Sequence, residues 1–302
     1  MNVVPIRPLS TASMTLVMPG TTGSAQIMFQ NMIKEFTRSK IGIIGLGFVG
    51  NAIRNALDQH FVDLVLVDPG KGLPGTYEDI KACDGIFVCV PSPEKDDGSC
   101  DTSILENVLT NLKAINYDGV IISKCTAPPD VYMKLGDQYP NLVHAPEFLT
   151  AANAERDYYQ GKFCFIGGRV TAYTREAERI IKMSQPSLEK ITHCSIGEAS
   201  LAKYTINSFL ATKVIFMNEI YKVAKASGLE YKNVASMVLS DPRIGSSHMQ
   251  VPGPDGNLGF GGACFPKDTK ALLNYAASVN ETMHVLEAAV KENTFLRLTE
   301  PK

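Results

Sequence analysis

The stretch that decides the fold starts at residue 40, where Lys40-Ile-Gly-Ile-Ile44 runs directly into Gly45-Leu-Gly47-Phe-Val-Gly50. A short apolar run, a glycine-rich turn and then helical spacing over residues 51–59 predict a strand, a tight turn and a helix. A second apolar run at residues 64–67 ends at Asp68, 18 positions after the last glycine. This order of glycines and acid predicts a dinucleotide site.

Each glycine of the turn has its own physical reason. Gly45 permits the tight turn, Gly47 lets the backbone approach a pyrophosphate, and Gly50 lets the helix pack on the strand. Asp68 would accept hydrogen bonds from the ribose hydroxyls and repel a 2′-phosphate, which favours NAD over NADP. An ordinary strand-to-helix turn with a surface aspartate is the alternative. The NAD-binding residues predicted here are Gly45, Gly47, Phe48, Val49, Gly50 and Asp68.

Short apolar runs continue to alternate with segments of helical spacing after Asp68. This alternation predicts an α/β fold with a Rossmann-like, doubly wound parallel sheet. Ligands of such sheets lie beyond the carboxyl ends of the strands, so the segments 91–93, 124–126 and 145–148, which follow such runs, are informative. The runs lie at residues 85–90, 120–123, 142–144 and 163–166.

A long helical pattern follows at residues 197–227 and opens an all-helical region. Lys203 and Asn207 are four residues apart and share one face of this helix. Its apolar residues occupy more than one face, which predicts a homodimer built on the helix. The predicted organisation is a flexible extension (1–39), an NAD-binding Rossmann domain (40–194) and a helical dimerisation domain (195–302).

The segment Gly259-Phe-Gly261-Gly262-Ala-Cys264-Phe-Pro266-Lys267-Asp268 is the most informative part of the helical region. Its glycines bring bare backbone close to a partner. A cysteine beside a cation and near a helix N-terminus is expected to have a lowered pKa and more thiolate. A lone cysteine is otherwise a small buried apolar residue.

Composition and charge exclude several classes of protein. The 302 residues carry 29 Lys and Arg against 31 Asp and Glu, so the charge of −2 gives no basis for binding nucleic acid. No apolar run approaches the roughly 18 residues of a membrane span, and no membrane partner is expected. The seven cysteines show no CxxC pair and no Cys/His cluster, which argues against a metal site or a disulfide framework and favours the cytoplasm.

An ordered set of motifs runs from about residue 40 to about residue 288. The motifs are Gly45-Leu-Gly-Phe-Val-Gly50, Val88-Cys-Val-Pro-Ser-Pro93, Ser123-Lys-Cys-Thr126, Ala145-Pro-Glu-Phe-Leu149, Ala199-Ser-Leu-Ala-Lys-Tyr-Thr-Ile-Asn207, Asp241-Pro-Arg-Ile-Gly245 and Gly261-Gly-Ala-Cys-Phe-Pro-Lys-Asp268. By this set the chain resembles the UDP-glucose/GDP-mannose dehydrogenase family, most closely its members that oxidise UDP-glucose.

The resemblance implies oxidation of a nucleotide sugar from primary alcohol through aldehyde to acid with two NAD. Cys264 would attack the aldehyde and form a thiohemiacetal, then a thioester that water hydrolyses. Lys203 and Asn207 would stabilise the oxyanion, and Lys203 would also act as base in the first step. Asp268 with Thr126 would position a water, and Glu147 would assist hydrolysis.

Further residues are implied by the same resemblance. Taken singly, Lys203 would read as a solvated helix charge, Glu147 as a carboxylate at a helix N-terminus and Asp268 as an N-cap. The NAD site would also include Pro91, Thr126 and Lys267. The sugar site would comprise Glu147, Phe148, Leu149, Lys203, Asn207, His248 and Gly261.

Three features depart from the family pattern. Thr150-Ala151 stand where many members have Arg-Glu, so one hydrolytic carboxylate is missing, and Cys125-Thr-Ala-Pro128 replaces Ser-Thr-Val-Pro with Thr126 kept. Members usually continue for roughly 100 further residues as a second α/β domain that grips the nucleotide, whereas this chain ends at Lys302.

Two other readings remain open beside the leading one. A β-hydroxyacid dehydrogenase would combine similar domains and transfer two electrons, but that chemistry needs no thiol. A truncated relative could bind NAD or a partner without turnover. UDP-N-acetylmannosamine and GDP-mannose remain alternatives to UDP-glucose as the sugar.

Overall fold

Seven strands form the centre of the computed structural model, which describes residues 39–58 and 62–299. They lie in one sheet in the order β2-β1-β3-β4-β5-β6-β7, so the predicted Rossmann-like sheet is confirmed. The predicted extension of residues 1–39 lies outside the described residues except for Ser39, which belongs to the first strand. The strands are β1 (Ser39–Ile44), β2 (Val62–Val67), β3 (Gly85–Val88), β4 (Val120–Ser123), β5 (Leu142–His144), β6 (Phe163–Gly167) and β7 (Lys190–Cys194).

Ten α-helices accompany the strands within residues 39–58 and 62–299. Six belong to the sheet region and four follow β7. They are α1 (Phe48–Leu57), α2 (Tyr77–Ile80), α3 (Ser103–Ala114), α4 (Pro129–Gln138), α5 (Ala154–Tyr159), α6 (Ala172–Ser184), α7 (Ile196–Ala226), α8 (Tyr231–Val238), α9 (Phe265–Ser278) and α10 (His284–Thr299).

The strands β5 and β6 depart from the predicted parallel arrangement. His144 pairs with Gly167 in antiparallel register, whereas the other neighbouring pairs of the sheet are parallel. The helix between these two strands, α5, has six residues and is about 9 Å long, too short to carry the chain back across the sheet. Residues 145–162 therefore stay at the edge where ligands of such folds bind.

Both faces of the sheet are buried. On β1, Ile41 and Ile43 belong to a core shared with α1 and α6, whereas Ile44 belongs to a second core shared with α3 and α4. Successive side chains of a strand point to opposite faces. Burial on both faces explains why these strands read as near-continuous apolar runs in the sequence.

The helix α7 follows β7 and spans 31 residues. Ser195 caps it, because its hydroxyl accepts the Glu198 N–H while the Glu198 carboxylate accepts the Ser195 N–H. This helix packs against α4 and β6 on the sheet side and against α9 and α10 on the other. It therefore carries its polar residues to the ligand edge of the sheet. Among the residues described, no helix is long and apolar enough to cross a bilayer.

Candidate active site

The glycine turn after β1 leaves no room for side chains at two positions. Gly45 has a φ of +88°, and a Cβ there would lie 2.8 Å from the carbonyl oxygen of Cys89. A Cβ on Gly50 would lie 2.0 Å from the carbonyl oxygen of Gly45, so α1 can pack on the turn only through a glycine. At Gly47 a Cβ would meet nothing within 4 Å. Open backbone at the N-terminus of α1 is suited to a phosphate, so these residues fit a dinucleotide.

The end of β2 is tied to this turn. The Asp68 carboxylate accepts a hydrogen bond from the Leu46 N–H at 2.8 Å, and the Lys71 ammonium donates to the Leu46 carbonyl oxygen. Phe48 is exposed at the tip of the turn, whereas Val49 packs against the core. Lys71 is a cation beside the glycine turn that was not predicted from the sequence. The feature that could have identified it is a lysine three residues after Asp68.

Lys203 is buried on α7, with 3% of its surface exposed, so it is not a solvated helix charge. Its Nζ donates to the backbone oxygen of Glu147 at 2.5 Å and lies 3.4 Å from the Glu147 Oε1. It also lies 5.0 Å from the centre of the Phe148 ring. The other Glu147 oxygen accepts the Leu149 N–H at 2.6 Å. Glu147 follows β5 in an irregular segment, so it does not stand at a helix N-terminus.

Asn207 lies one turn further along α7 and contacts α9. Its Nδ2 donates to the Asp268 Oδ2 at 2.6 Å, and the Lys267 Nζ donates to the Asp268 Oδ1 at 2.7 Å. The N-cap of α9 is Cys264, so Asp268 is not a cap. Burial alone would lower the pKa of Lys267, but the Asp268 carboxylate more than offsets this and the pKa is raised. Lys267 and Asp268 form an ion pair on α9, in contact with Asn207 of α7.

Cys264 is exposed at the start of α9, and the other six cysteines are buried or half-buried. The prediction of a lowered thiol pKa is wrong. Although the residue is exposed, its sulfur is partly shielded from water, and this loss of water raises the pKa of Cys264. Glu147 and Asp268 raise the pKa further, and the cations Lys203 and Lys267 offset only part of this rise. The sequence shows the neighbouring lysine but not the carboxylate that the fold brings in from residue 147.

Three further predicted residues lie on segments that follow strands or precede α9. Thr126 follows β4, and its carbonyl oxygen accepts a hydrogen bond from the Cys100 Sγ at 3.3 Å. Pro91 follows β3 at the same edge of the sheet. His248 has a φ of +63°, a conformation that few residues with a side chain adopt. Its ring lies 5.3 Å from the ring of Phe265, beside the thiol.

The surroundings of His248 favour its neutral imidazole. Burial lowers the pKa of His248, and the nearby Lys213 ammonium lowers it further. Lys213 donates to the Gly245 carbonyl oxygen at 2.5 Å, which holds the loop before His248 against α7. A ligand would therefore meet a hydrogen-bonding ring and not a cation at His248.

A cavity of about 120 Å³ lies beside Glu147 and was not anticipated from the sequence. Phe148 and Leu149 also line it, together with Lys124. Lys124 is 5% exposed, and its Nζ lies 5.9 Å from the centre of the Tyr158 ring. A lysine directly after a buried strand run is the sequence signal that could have identified this second buried cation.

The fold and the site together define a Rossmann-fold nucleotide-binding protein whose helical region adds a thiol and buried polar groups. Comparison with known families agrees. Residues 74–185 match the NAD binding domain of the UDP-glucose/GDP-mannose dehydrogenase family, and residues 197–294 match its central domain. The chain therefore belongs to this family.

Relatives and solved structures support the assignment. The UDP-glucose 6-dehydrogenase of Rickettsia bellii is 31% identical over 248 residues, covering 78% of this chain and 55% of that protein. A UDP-glucose dehydrogenase structure from Pyrobaculum islandicum has a TM-score of 0.72 at 26% identity, covering 86% of this chain and 68% of that one. The structure of the Mycobacterium tuberculosis 3-hydroxyisobutyrate dehydrogenase has a TM-score of 0.69 at 17% identity, covering 87% of this chain and 95% of that one. This is a likeness of fold alone. The chain thus spans about half the length of the Rickettsia relative.

Proposed function

We propose that the chain oxidises a nucleotide sugar from a primary alcohol to a carboxylate in two NAD-dependent steps. The observation that carries the proposal is the exposed Cys264 thiol within electrostatic range of the buried Lys203 and the half-buried Glu147, with the buried Asn207 one helical turn from Lys203. Oxidation of an alcohol to an aldehyde needs no thiol. Oxidation of an aldehyde to an acid needs a nucleophile before hydride can leave, and a thiol serves this purpose.

The glycine turn supports NAD as the cofactor. The open backbone at Gly47 and the N-terminus of α1 suit its pyrophosphate, and Asp68 suits its ribose. NAD when bound accepts the hydride of each step. In the first step the sugar hydroxyl also loses a proton, and Lys203 with Glu147 gives that proton a route into the protein.

In the second oxidation a sulfur–carbon bond forms between Cys264 and the aldehyde. The electron pair of the carbonyl moves to oxygen, where the Lys203 ammonium and the Asn207 amide stabilise it. The thiol is mainly protonated at neutral pH because its pKa is raised, so its proton must leave as the bond forms, and Glu147 is the carboxylate assigned to take it. Departure of the second hydride leaves a thioester.

Hydrolysis then releases the product. Water adds to the thioester, the carbon–sulfur bond breaks, and the thiolate leaves as the carboxylate forms. Glu147 first releases the thiol proton to solvent and is then assigned to take a proton from this water. Asp268, fixed by Asn207 and Lys267, is assigned with Thr126 to orient it. The balance is two NAD and one water consumed per sugar.

UDP-glucose is the proposed sugar, and UDP-glucuronate the product. The names of the Rickettsia bellii relative and of the Pyrobaculum islandicum structure support this choice. UDP-N-acetylmannosamine and GDP-mannose are the competing substrates.

The deciding experiment measures NADH formed per sugar consumed, with the full chain, NAD and each of the three nucleotide sugars. Two NADH per UDP-glucose is the expected result. One NADH would identify a two-electron dehydrogenase. NAD binding without turnover of any sugar would identify a non-catalytic relative, and either outcome would refute the proposed reaction.

A homodimer built on α7 is also proposed. Phe209, Phe216 and Val223 recur every seven residues and remain 67%, 58% and 61% exposed in the isolated chain. An apolar stripe of this kind on a long helix is suited to pairing with a second copy. Light scattering at micromolar concentration should give the mass of a dimer for the parent and of a monomer for Phe216→Glu. A monomeric parent would contradict the proposal.

We also propose that the chain resides in the cytoplasm, which is a reducing compartment. All seven cysteines are free, and unpaired thiols persist in compartments that keep them reduced. Fractionation of cells that express the chain should place it in the cytoplasm.

A further inference from the structure

The loop that leads to Cys264 is held by side chains where it has no regular backbone partner. The Gly259 N–H donates to the Asn218 Oδ1 at 3.0 Å, and the Phe260 N–H donates to the Asn293 Oδ1 at 2.6 Å. The Gly259 carbonyl oxygen accepts from the Arg297 Nη2 at 3.1 Å. Side chains of α7 and α10 thus form hydrogen bonds with three neighbouring backbone groups of the loop. Buried backbone groups need such partners, so these side chains determine the path of the loop.

Two glycines of the loop show how closely the side chains of α10 approach the loop backbone. A Cβ on Gly259 would lie 2.4 Å from the Asn293 Oδ1, and one on Gly261 would lie 2.8 Å from the Arg297 Nη2. At Gly262 a Cβ would meet nothing within 4 Å. The first two glycines therefore make room for α10, whereas Gly262 serves only the backbone conformation, with a φ of +78°.

The held segment sets the position of the thiol. Only Gly261, Gly262 and Ala263 separate Phe260, the last residue held in this way, from Cys264. Phe260 is buried in a cluster that includes Ile215 of α7 and Leu296 of α10, so the loop cannot shift without breaking apolar contacts. Asn218 lies on the same helix as the polar groups proposed to act on the sugar.

Arg297 ties a second segment to the loop. Its Nη1 forms an ion pair with the Asp255 carboxylate at 2.6 Å, while its Nη2 holds the Gly259 carbonyl oxygen. One guanidinium therefore spans the turn before the loop and the loop itself. A lysine in its place could not make both contacts in this planar geometry.

We propose that Asn293 and Arg297 of α10 are positioning residues for the Cys264 thiol, acting through the backbone of Gly259 and Phe260. They touch the loop and not the reacting atoms. Their expected effect on turnover rests on the proposed function, whereas their expected effect on thiol reactivity does not. A displacement of about 1 Å at a reacting group can cost up to about 100-fold in rate.

The test compares three single variants of the full chain. Asn293→Leu keeps the side-chain size and removes the acceptor, and Asn293→Asp keeps an oxygen that can accept the Phe260 N–H. Thr294→Ala is the matched control, because Thr294 is on the exposed side of the same helix. The readouts are kcat, the KM for NAD, and the pH midpoint of iodoacetamide alkylation at Cys264, followed by peptide mass spectrometry.

Asn293→Leu should lower kcat by at least about tenfold with the KM for NAD unchanged. Its alkylation midpoint should move down towards that of an ordinary cysteine, because the loosened thiol gains contact with water and moves away from the carboxylates Glu147 and Asp268, which outweigh Lys203 and Lys267. Asn293→Asp and Thr294→Ala should stay close to the parent in both readouts.

A folded Asn293→Leu variant with the kcat and midpoint of the parent would overturn the proposal. If the chain turns over no sugar, the proposed function fails and the alkylation midpoint alone decides the positioning role. If Asn293→Leu does not fold, as judged by NAD binding and thermal unfolding, Arg297→Met decides by the same readouts.

Discussion

The glycine turn and the cysteine site are assembled in different ways. The turn is one continuous stretch, residues 45–50, joined to Asp68 through a single contact at Leu46. The cysteine site draws Glu147 and Lys203 together across 56 positions and Asn207 and Asp268 across 61. The turn therefore depends on local backbone geometry, whereas the cysteine site depends on how α7 packs against the sheet and α9.

Replacing the thiol should separate these two regions most clearly. Cys264→Ser should lower formation of the acid by about 10³-fold or more, because a neutral hydroxyl adds to an aldehyde far less readily than a thiolate. Its affinity for NAD should match that of the parent. Cys194→Ser, a half-buried thiol at the end of β7, is the control and should behave as the parent. Acid formation at the parent rate by Cys264→Ser would show that the thiol has no part in the reaction.

Removing the buried cation should have the next largest effect. Lys203→Met should lower kcat by about 10²- to 10³-fold, since it removes a donor aimed at the developing oxyanion. The matched control is Lys222→Met on the same helix, whose ammonium is half-exposed and pairs with Glu292. An equal loss of kcat in the two variants would mean that removing any lysine from α7 impairs turnover and that Lys203 has no specific role in the reaction.

A substitution beside the glycine turn should change the preference for NAD over NADP. The parent should prefer NAD, and Asp68→Asn should reduce the ratio of kcat/KM for NAD over NADP by about tenfold. The amide oxygen can still accept the Leu46 N–H, so the turn itself should persist. Asp58→Asn, at the exposed end of α1, serves as the control. Comparable efficiency of the parent with both cofactors would refute the role given to Asp68.

The smallest expected effect concerns the charges around the thiol. The pH midpoint of Cys264 alkylation should lie above that of an ordinary cysteine, so reactivity should rise as pH increases through that raised value. Glu147→Gln should lower the midpoint, because it removes a negative charge that raises the pKa of the thiol. A midpoint that Glu147→Gln leaves unchanged would place the carboxylate too far from the sulfur to take its proton.

Local patterns were sufficient to predict much of the fold. The predicted helix over residues 197–227 agrees with α7 within a residue at each end, because capping by Ser195 and helical spacing are written in neighbouring residues. The antiparallel β6 was not predicted. Strand direction depends on whether the connection can cross the sheet, and α5 is too short for that. The strand β7 was missed because its alternating pattern is half-exposed at the sheet edge.

In the candidate site, too, some features could be predicted from local sequence and others depended on packing. The spacing of Lys203 and Asn207 places both on one face of a helix, but burial of Lys203 against Glu147 required the packing of α7 on the segment after β5. The thiol pKa was predicted in the wrong direction, because loss of water around the sulfur and the Glu147 carboxylate, which is distant in the sequence, both raise the pKa and neither is visible in the local sequence.

What the sequence by itself determined is the set of features that arise within a few residues: the glycine turn, the strand and helix periods and the residue types available for chemistry. Only the tertiary structure decided which charges surround Cys264, that α10 holds the cysteine loop, and that β6 runs against β5. Hydrogen bonds and steric limits of the backbone act over neighbouring residues, whereas burial and electrostatic interactions depend on distances that only the folded chain defines.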